Sequence, residues 1–217
     1  MKRKLAVFGK FLIFFMAMFF TMSSVANAAP KGDPIVIGAI TNLSAPYGAS
    51  LKASMEIAVD DINSSGGILG RPVKLVIEDW KRQVPLALAA YRKLVMNDKC
   101  VFVFTEGSEA VAATMQEGAK LFQSYPHIQM AQYASADDLT LETVGKDYEK
   151  YKFFFRGFSN MYTQYTPALD MWKVYKDVIG AKKVALIIED IAYTKTMITG
   201  KKGIHSYPPY KELLESK

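Results

Sequence analysis

The fold is decided by the stretch Pro34-Ile-Val-Ile-Gly-Ala-Ile-Thr-Asn-Leu-Ser-Ala-Pro-Tyr-Gly48. Its apolar run Ile35 to Ile40 predicts a buried strand, and the small and hydroxylic residues from Thr41 to Gly48 predict a loop. Apolar residues that share one helix face follow at spacings of about 3.6: Leu51, Met55, Ala58, Val59 and Ile62. Ser64-Ser-Gly-Gly67 ends this helix, because glycine adopts the left-handed conformation that closes helices.

The first 28 residues are typical of a cleaved secretory signal. A basic start precedes the twelve-residue apolar run Phe11 to Met22, which is shorter than the roughly 20 residues that span a bilayer. Small residues at Ala26 and Ala28 predict cleavage before Ala29. We therefore expect a signal peptide over residues 1–28 and a mature chain that is free in the periplasm.

Charge and cysteine content exclude several classes of protein. Four of the 27 basic residues lie in the leader, which leaves 23 against 21 acidic residues and no basic patch for nucleic acid. The single cysteine, Cys100, cannot form an internal disulfide, and the apolar run Val101 to Phe104 beside it predicts a buried, unreactive thiol. Export without disulfides suits a bacterial periplasmic protein that is stabilised by its core.

Strand and helix patterns alternate along the next hundred residues. Further strands are predicted at Val73 to Ile77, Val101 to Phe104 and Ile128 to Met130, with helices from Pro85 to Asn97 and from Ser108 to Phe122. This order predicts an α/β fold with a parallel, doubly wound sheet, whose ligands bind beyond the carboxyl ends of the strands. The loops that gather there are 41–48, 79–84, 105–109 and 132–140.

The pattern changes after residue 140. A polar segment leads to a short strand at Phe153 to Phe155 and a crossing segment at residues 156–163. A helix ending at Gly180 follows, and a buried strand is predicted at Val184 to Ile188. One face of that helix carries Tyr165, Leu169, Trp172 and Ile179. This segment predicts the start of a second αβ domain, too short to bury a core of its own.

Four segments carry a resemblance to a known family. They are Ile35-Val-Ile-Gly-Ala39 with Ala45-Pro-Tyr-Gly48, Ala58 through Gly66-Gly-Ile-Leu-Gly-Arg-Pro72, Tyr133-Ala-Ser-Ala-Asp-Asp-Leu-Thr140, and Phe155-Arg-Gly157 with Glu189-Asp-Ile-Ala-Tyr193. The chain resembles the periplasmic substrate-binding proteins of branched-chain and related amino-acid ABC transporters. The resemblance implies the two-lobed type I periplasmic binding protein fold. Its lobe I would comprise residues 29–158 without the return strands, and residues 159–217 would begin an incomplete lobe II, as in an N-terminal fragment.

The resemblance also implies a set of ligand contacts. Ser108 would hold a ligand carboxylate, as hydroxyl and backbone N–H groups at a helix start also favour. Ala134 would offer its carbonyl to a ligand ammonium and Ser135 its hydroxyl to the carboxylate, while Tyr193 would cover the ligand on closure and Tyr47 would shape the pocket. For each side chain a structural role is the alternative: Ser108 as a helix cap, Ser135 as a local contact, and Tyr47 and Tyr193 as packing or surface aromatics.

The sequence departs from the family pattern in Phe104-Thr-Glu-Gly-Ser-Glu109, where Glu109 replaces a second hydroxyl. An ionised carboxylate there would repel a ligand carboxylate, which argues against a plain leucine-type ligand. Glu106 and Glu109 would either meet a cationic group or point into solvent. The loop from Thr41 to Gly48 is also shorter than is usual in the family.

The leading hypothesis is an exported solute-binding protein that captures an amino acid or related small polar molecule for an inner-membrane ABC permease. It would need no cofactor or metal, bind no nucleic acid and be a monomer at full length. A periplasmic sensor that presents its ligand to a signalling receptor is the alternative. An exported enzyme is disfavoured, because His127 and His205 are far apart and neither lies near a nucleophile motif.

Overall fold

A computed structural model describes residues 29–183, 185, 187, 189, 191–200, 209 and 212; the predicted signal peptide lies outside them. The strands are β1 Ile35–Thr41, β2 Val73–Asp79, β3 Phe102–Glu106, β4 Ile128–Gln132 and β5 Phe154–Arg156. The helices are α1 Pro46–Ser64, α2 Val84–Arg92, α3 Ser108–Leu121, α4 Tyr148–Tyr151, α5 Met161–Asp177 and α6 Ala192–Thr199, with π-helices at Lys93–Asn97 and Leu139–Val144.

The five strands form one sheet in the order β2-β1-β3-β4-β5. β1 pairs in parallel with β3, β3 with β4, and β4 with β5, in registers that place Ile37 beside Phe102, Phe102 beside Ile128, and Gln129 beside Phe154. This confirms the predicted α/β class and its parallel sheet. The strand order reverses direction beside β1, which is where such sheets bind ligands.

Contacts divide the chain into two compact units, residues up to Ile35 with Ile57–Val73, and Val36–Glu56 with Lys74–Lys217. In the first unit, Asn63 at the end of α1 donates to the carbonyl of Val73 at 2.9 Å and accepts from its N–H at 2.7 Å. Ile68 and Arg71 pair across a tight turn. The lobe boundary at residue 158 stays a prediction.

Two hydrophobic clusters form the core of the second unit. One joins α2 and its π-helical extension to the sheet, with Tyr91, Leu94 and Val103 fully buried. The other joins α3, β4 and β5 through buried side chains that include Met115 and Phe153. Such burial is the main favourable term in folding.

Cys100 is buried, and burial raises the pKa of its thiol to about 12. A thiol with so high a pKa carries almost no thiolate near neutral pH. The prediction of a buried cysteine is therefore confirmed, and the raised pKa of the thiol agrees with the predicted low reactivity.

A chain of polar side chains also lies inside this unit. Tyr91 Oη is 2.6 Å from His127 Nε2 and 3.2 Å from Gln129 Oε1, and Gln129 Nε2 donates to Thr114 Oγ1 at 2.7 Å. His127 Nδ1 lies 2.6 Å from the carbonyl of Tyr125, which fixes the ring. His127 is thus a core residue.

Several predicted details differ from the structure. β3 begins at Phe102 rather than at Val101, whose side chain is half exposed, and the helix that begins at Val84 ends as a π-helix rather than an α-helix. The prediction that Ile179 lies within this helix is wrong: α5 ends at Asp177, and Ile179, beyond its end, is 67% exposed.

Two predictions about this region involve residues outside the described part of the chain. The side chains of Tyr165 and Leu169 lie outside the described part of the chain, so their place on the predicted helix face stays untested. Of the predicted strand at residues 184–188, only positions 185 and 187 are described, and neither lies in a strand. Among the helices that the structure describes, none has both the length and the hydropathy to cross a membrane.

Candidate functional site

A cavity of about 210 Å³ lies beyond the carboxyl ends of the strands in the second unit. Eight of its lining residues lie at or after the carboxyl ends of the first four strands, and two lie just before α6. They are Tyr47, Trp80, Arg82, Glu106, Gly107, Ser108, Glu109 and Tyr133, and then Glu189 and Ile191. All four loops that were predicted to gather at this edge contribute a residue. The cavity therefore lies where parallel sheets bind ligands.

Glu106, the last residue of β3, is the central polar group of the cavity and is only 5% exposed. Its Oε2 accepts hydrogen bonds from Trp80 Nε1 at 2.8 Å and from the backbone N–H of Asn42 at 3.0 Å. Burial raises the pKa of this carboxyl, while hydrogen bonds from Trp80, Asn42 and Tyr47 and the charge of Arg82 oppose the rise. One carboxylate thus connects the loops that follow β1 and β2.

Gly107 lets the chain turn from β3 into α3 against Trp80. Its φ is +88°, and a Cβ at this position would lie 2.7 Å from Trp80 Cζ2. Both the backbone conformation and the close contact require glycine. The indole can therefore lie flat beside the start of α3 and hold its N–H towards Glu106.

Tyr47 and Tyr133 form an aromatic wall. Their rings stack with centroids 5.4 Å apart and an angle of 6° between planes, and Tyr133 stacks on Phe158 at 4.8 Å. Tyr133 has a φ of +52°, an uncommon value for a non-glycine residue that turns the chain just beyond β4. Burial raises the pKa of Tyr47, and the nearby carboxylate of Glu106 acts in the same direction.

Charged groups complete the lining. Arg82 Nη1 lies 3.2 Å from Glu189 Oε1 in an ion pair whose side chains are both partly exposed. Asp79 Oδ1 accepts from the N–H of Leu43 at 3.2 Å and of Lys81 at 2.9 Å, and so connects the loops after β1 and β2. In the described part of the chain, no three His, Cys, Asp or Glu residues are grouped as metal ligands.

The structure brings two of the five predicted ligand residues, Tyr47 and Ser108, to the cavity. Ser108 is 3% exposed, and its hydroxyl accepts from the N–H of Ala136 at 3.2 Å. Ser108 is the first residue of α3, and the N-cap position of that helix is Gly107, which has no side chain to cap it.

Ala134 and Ser135 are buried but are not among the described lining residues. Ser135 Oγ accepts from Gln164 Nε2 at 2.8 Å, and its carbonyl accepts from the N–H of Met161. Tyr193 lies in α6, with its side chain outside the described part of the chain. The ligand roles of these residues stay predictions.

The sequence did not single out Trp80, Arg82 or Tyr133. Each lies in or beside a loop that was predicted to face the ligand, so position in the fold was the available signal. Composition offered none, because an isolated tryptophan or arginine after a strand is as often structural as functional.

A sequence model of the family described as "Periplasmic binding protein" matches residues 34–202. The Leu/Ile/Val-binding protein BraC3 of Rhizobium johnstonii is 31% identical over 136 residues, which are 58% of this chain and 36% of that protein. The chain thus spans about a third of this relative.

Two solved structures share the fold. A solute-binding protein from R. palustris in complex with 4-hydroxybenzoate aligns with a TM-score of 0.62 at 21% identity, over 85% of this chain and 44% of that one. The substrate-binding protein LivJ of Streptococcus pneumoniae, in complex with isoleucine, aligns at 0.55 and 24% identity, over 69% and 40% of the two chains.

Proposed function

Because the chain belongs to the periplasmic binding protein family, we propose that it is an exported solute-binding protein that captures an amino acid or related small polar molecule for an ABC permease. The resemblance to branched-chain amino-acid binding proteins is confirmed by the family match and by the Leu/Ile/Val-binding relative. The ligand class and the permease partner are inferred from these relatives.

The observation that carries the proposal is the cavity at the carboxyl edge of the sheet. It combines stacked aromatic side chains with groups of both charges, Arg82 and Glu106, within one small space. Ligand sites are concave, with apolar walls and a few convergent polar groups, and this cavity has both. A small polar solute matches these features better than a macromolecule does.

Binding without catalysis is part of the proposal. The described histidine, His127, lies in the core and is within hydrogen-bonding distance of Tyr91 and Tyr125 rather than of a nucleophile. The hydroxyl of Ser108 accepts a hydrogen bond from the backbone N–H of Ala136, and a serine becomes a nucleophile only when an adjacent base activates it.

We further infer that Tyr47 and Ser108 contact the ligand directly, since both line the cavity. Ala134, Ser135 and Tyr193 are proposed contacts on the strength of the resemblance alone. The same holds for lobe I at residues 29–158, the start of lobe II at 159–217, the signal peptide and the periplasmic location of this chain.

Calorimetric titration of the purified chain with a panel of amino acids and amides tests the proposal. We expect micromolar binding of at least one ligand, and a loss of about tenfold in affinity in Ser108→Ala if the hydroxyl bonds the ligand. Ser124→Ala, an exposed serine outside the cavity, is the matched control and should bind as the parent does. Absence of binding to the whole panel would contradict the proposed function.

A further inference from the structure

We propose that the cavity selects solutes that carry a side-chain cation, an ammonium or a guanidinium group, and that Glu106 is the residue that holds this group. The inference deepens the proposed function and rests on it. It assigns a ligand preference to the last residue of β3.

The first step is the charge of the cavity. Its lining contains three acidic residues, Glu106, Glu109 and Glu189, and one basic residue, Arg82. Arg82 is paired with Glu189 at 3.2 Å, and the lining as a whole contains more acidic than basic residues. Clefts with low-dielectric walls concentrate the electric field of the charged groups that line them. A mostly acidic cleft therefore attracts cations and repels ligands that carry an excess of negative charge.

The second step is the position of Glu106. It is one of the most deeply buried of the lining residues, so a charge that approaches it is poorly screened by solvent. The hydrogen bonds from Trp80 and Asn42 both reach Oε2 and hold the carboxyl group in place. A carboxylate has about four acceptor positions, so it can receive a further donor from a ligand.

The third step is the aromatic lining. Trp80, Tyr47 and Tyr133 all border the same cavity as Glu106. Aromatic faces attract ammonium and guanidinium groups, and tryptophan does so most strongly. Aromatic rings around a buried carboxylate form a site that suits an organic cation better than an aliphatic side chain.

Ligand pairs of similar shape provide the sharpest test, because each pair differs chiefly in charge. Calorimetric titrations compare lysine with norleucine and arginine with citrulline on the purified chain. We expect the cationic member of at least one pair to bind about 10- to 100-fold more tightly, as for a hydrogen bond to a charged group. Equal or weaker binding of both cationic members, with norleucine or leucine bound, would overturn this inference and leave the proposed function intact.

Glu106→Gln separates ligand recognition from loop positioning. Its amide oxygen can still accept from Trp80 and Asn42, so the loops keep their bonds while the charge is removed. We expect the affinity for the cationic ligand to fall about tenfold or more, and the affinity for the neutral ligand of the same pair to change little. Glu149→Gln, which removes one charge from an exposed residue of α4, is the matched control and should change neither affinity.

Each remaining result also decides the inference. An unchanged preference in Glu106→Gln would overturn the assignment to this residue. If that variant does not fold, the two ligand pairs on the parent chain decide the preference by themselves. Failure of every ligand, neutral and cationic, would overturn both this inference and the proposed function.

Discussion

Gly107 shows how one residue without a side chain can determine the geometry of a site. It stands where β3 passes into α3, with a positive φ and with Trp80 against its Cα. Trp80 in turn donates to Glu106, so the position of the indole affects the central carboxylate. A change at Gly107 should therefore be seen at the cavity as well as in stability.

We expect Gly107→Ala to lower the free energy of unfolding by about 1–3 kcal/mol from backbone strain alone, and to displace Trp80. Urea unfolding measures the first effect, and tryptophan fluorescence, which arises from only Trp80 and Trp172, reports the second. Gly145→Ala is the matched control: Gly145 has a φ of −64°, and its added Cβ would meet nothing closer than 3.5 Å. An equal loss in both variants would refute the role given to Gly107.

His127 is a second residue whose effect follows from its surroundings. It is 3% exposed among aromatic side chains, and burial lowers the pKa of its imidazole, although the bond to the carbonyl of Tyr125 acts the other way. In the unfolded chain the pKa of a histidine imidazole is about 6.5. The folded state thus binds fewer protons than the unfolded state in mildly acidic solution.

Stability should therefore be intact above about pH 6.5 and should fall as the pH drops from there towards the lower folded-state pKa. Urea unfolding at pH 7.5 and pH 5.5 should show a loss in the parent chain and a smaller loss in His127→Gln. His205→Gln removes the other histidine of the sequence and measures how much of the loss of stability comes from that residue. The same pH dependence in the parent chain and in His127→Gln would contradict this prediction.

Among the elements, α3 packs most closely on its neighbours. A Cβ on Gly118 would lie 2.5 Å from Tyr91 Oη and 2.6 Å from Phe153 Cε2, so this glycine allows contact between the helix and both core clusters. The sequence predicted the helix and nearly its bounds, since its periodic pattern is local. It did not reveal Gly118 as a contact point, because that depends on what lies opposite.

Gly118→Ala should destabilise the chain, although alanine is the better helix former. Overpacking lowers the free energy of unfolding by about 1–3 kcal/mol, whereas the higher helix propensity of alanine raises it by about 1 kcal/mol. Ala112→Gly, at an exposed position of the same helix, measures the propensity effect alone and should lose about 1 kcal/mol. A higher melting temperature for Gly118→Ala would show that the helix is less tightly packed than the structure indicates.

At the scale of the whole molecule, stability is unevenly distributed within the second unit. Val103 and Ala131 of the central strands are fully buried. Of the described side chains of α5, only Met161 is buried, and Met171, Val174 and Tyr175 are each about half exposed. Segments with few buried contacts open at lower free energy than the core.

Hydrogen exchange should therefore be slow in β3 and β4 and faster by about tenfold or more in α5. Mass spectrometry of the exchanging chain, with peptides that cover each element, makes the comparison directly. Peptides from α3, which is helical but well buried, control for the difference between helix and strand. Equal protection of α5 and β3 would show that α5 is as tightly held as the core.

The sequence alone was enough to predict the α/β class, the five strands, the helices α1, α2, α3 and α5 to within a few residues, and the four loops at the carboxyl edge of the sheet. It did not predict α4 or the π-helix Leu139–Val144. Apolar periodicity and glycine stops are local signals, and the rule that parallel sheets bind ligands at their carboxyl edge turns them into a location. Ser108 and Tyr47 lie in or beside those loops and line the cavity, while their contact with a ligand stays a prediction.

The side chains that line the cavity and the bonds between them became known from the tertiary structure. Glu106 lies deep in the cavity because Trp80 and Asn42, 26 and 64 residues away in sequence, direct donors to it. Tyr133 stacks on Tyr47 from a backbone conformation with positive φ, which the sequence did not predict. The hydroxyl of Ser135 accepts a hydrogen bond from Gln164. Burial and hydrogen-bond partners depend on segments distant along the chain, so they emerge only when the sheet brings its loops together.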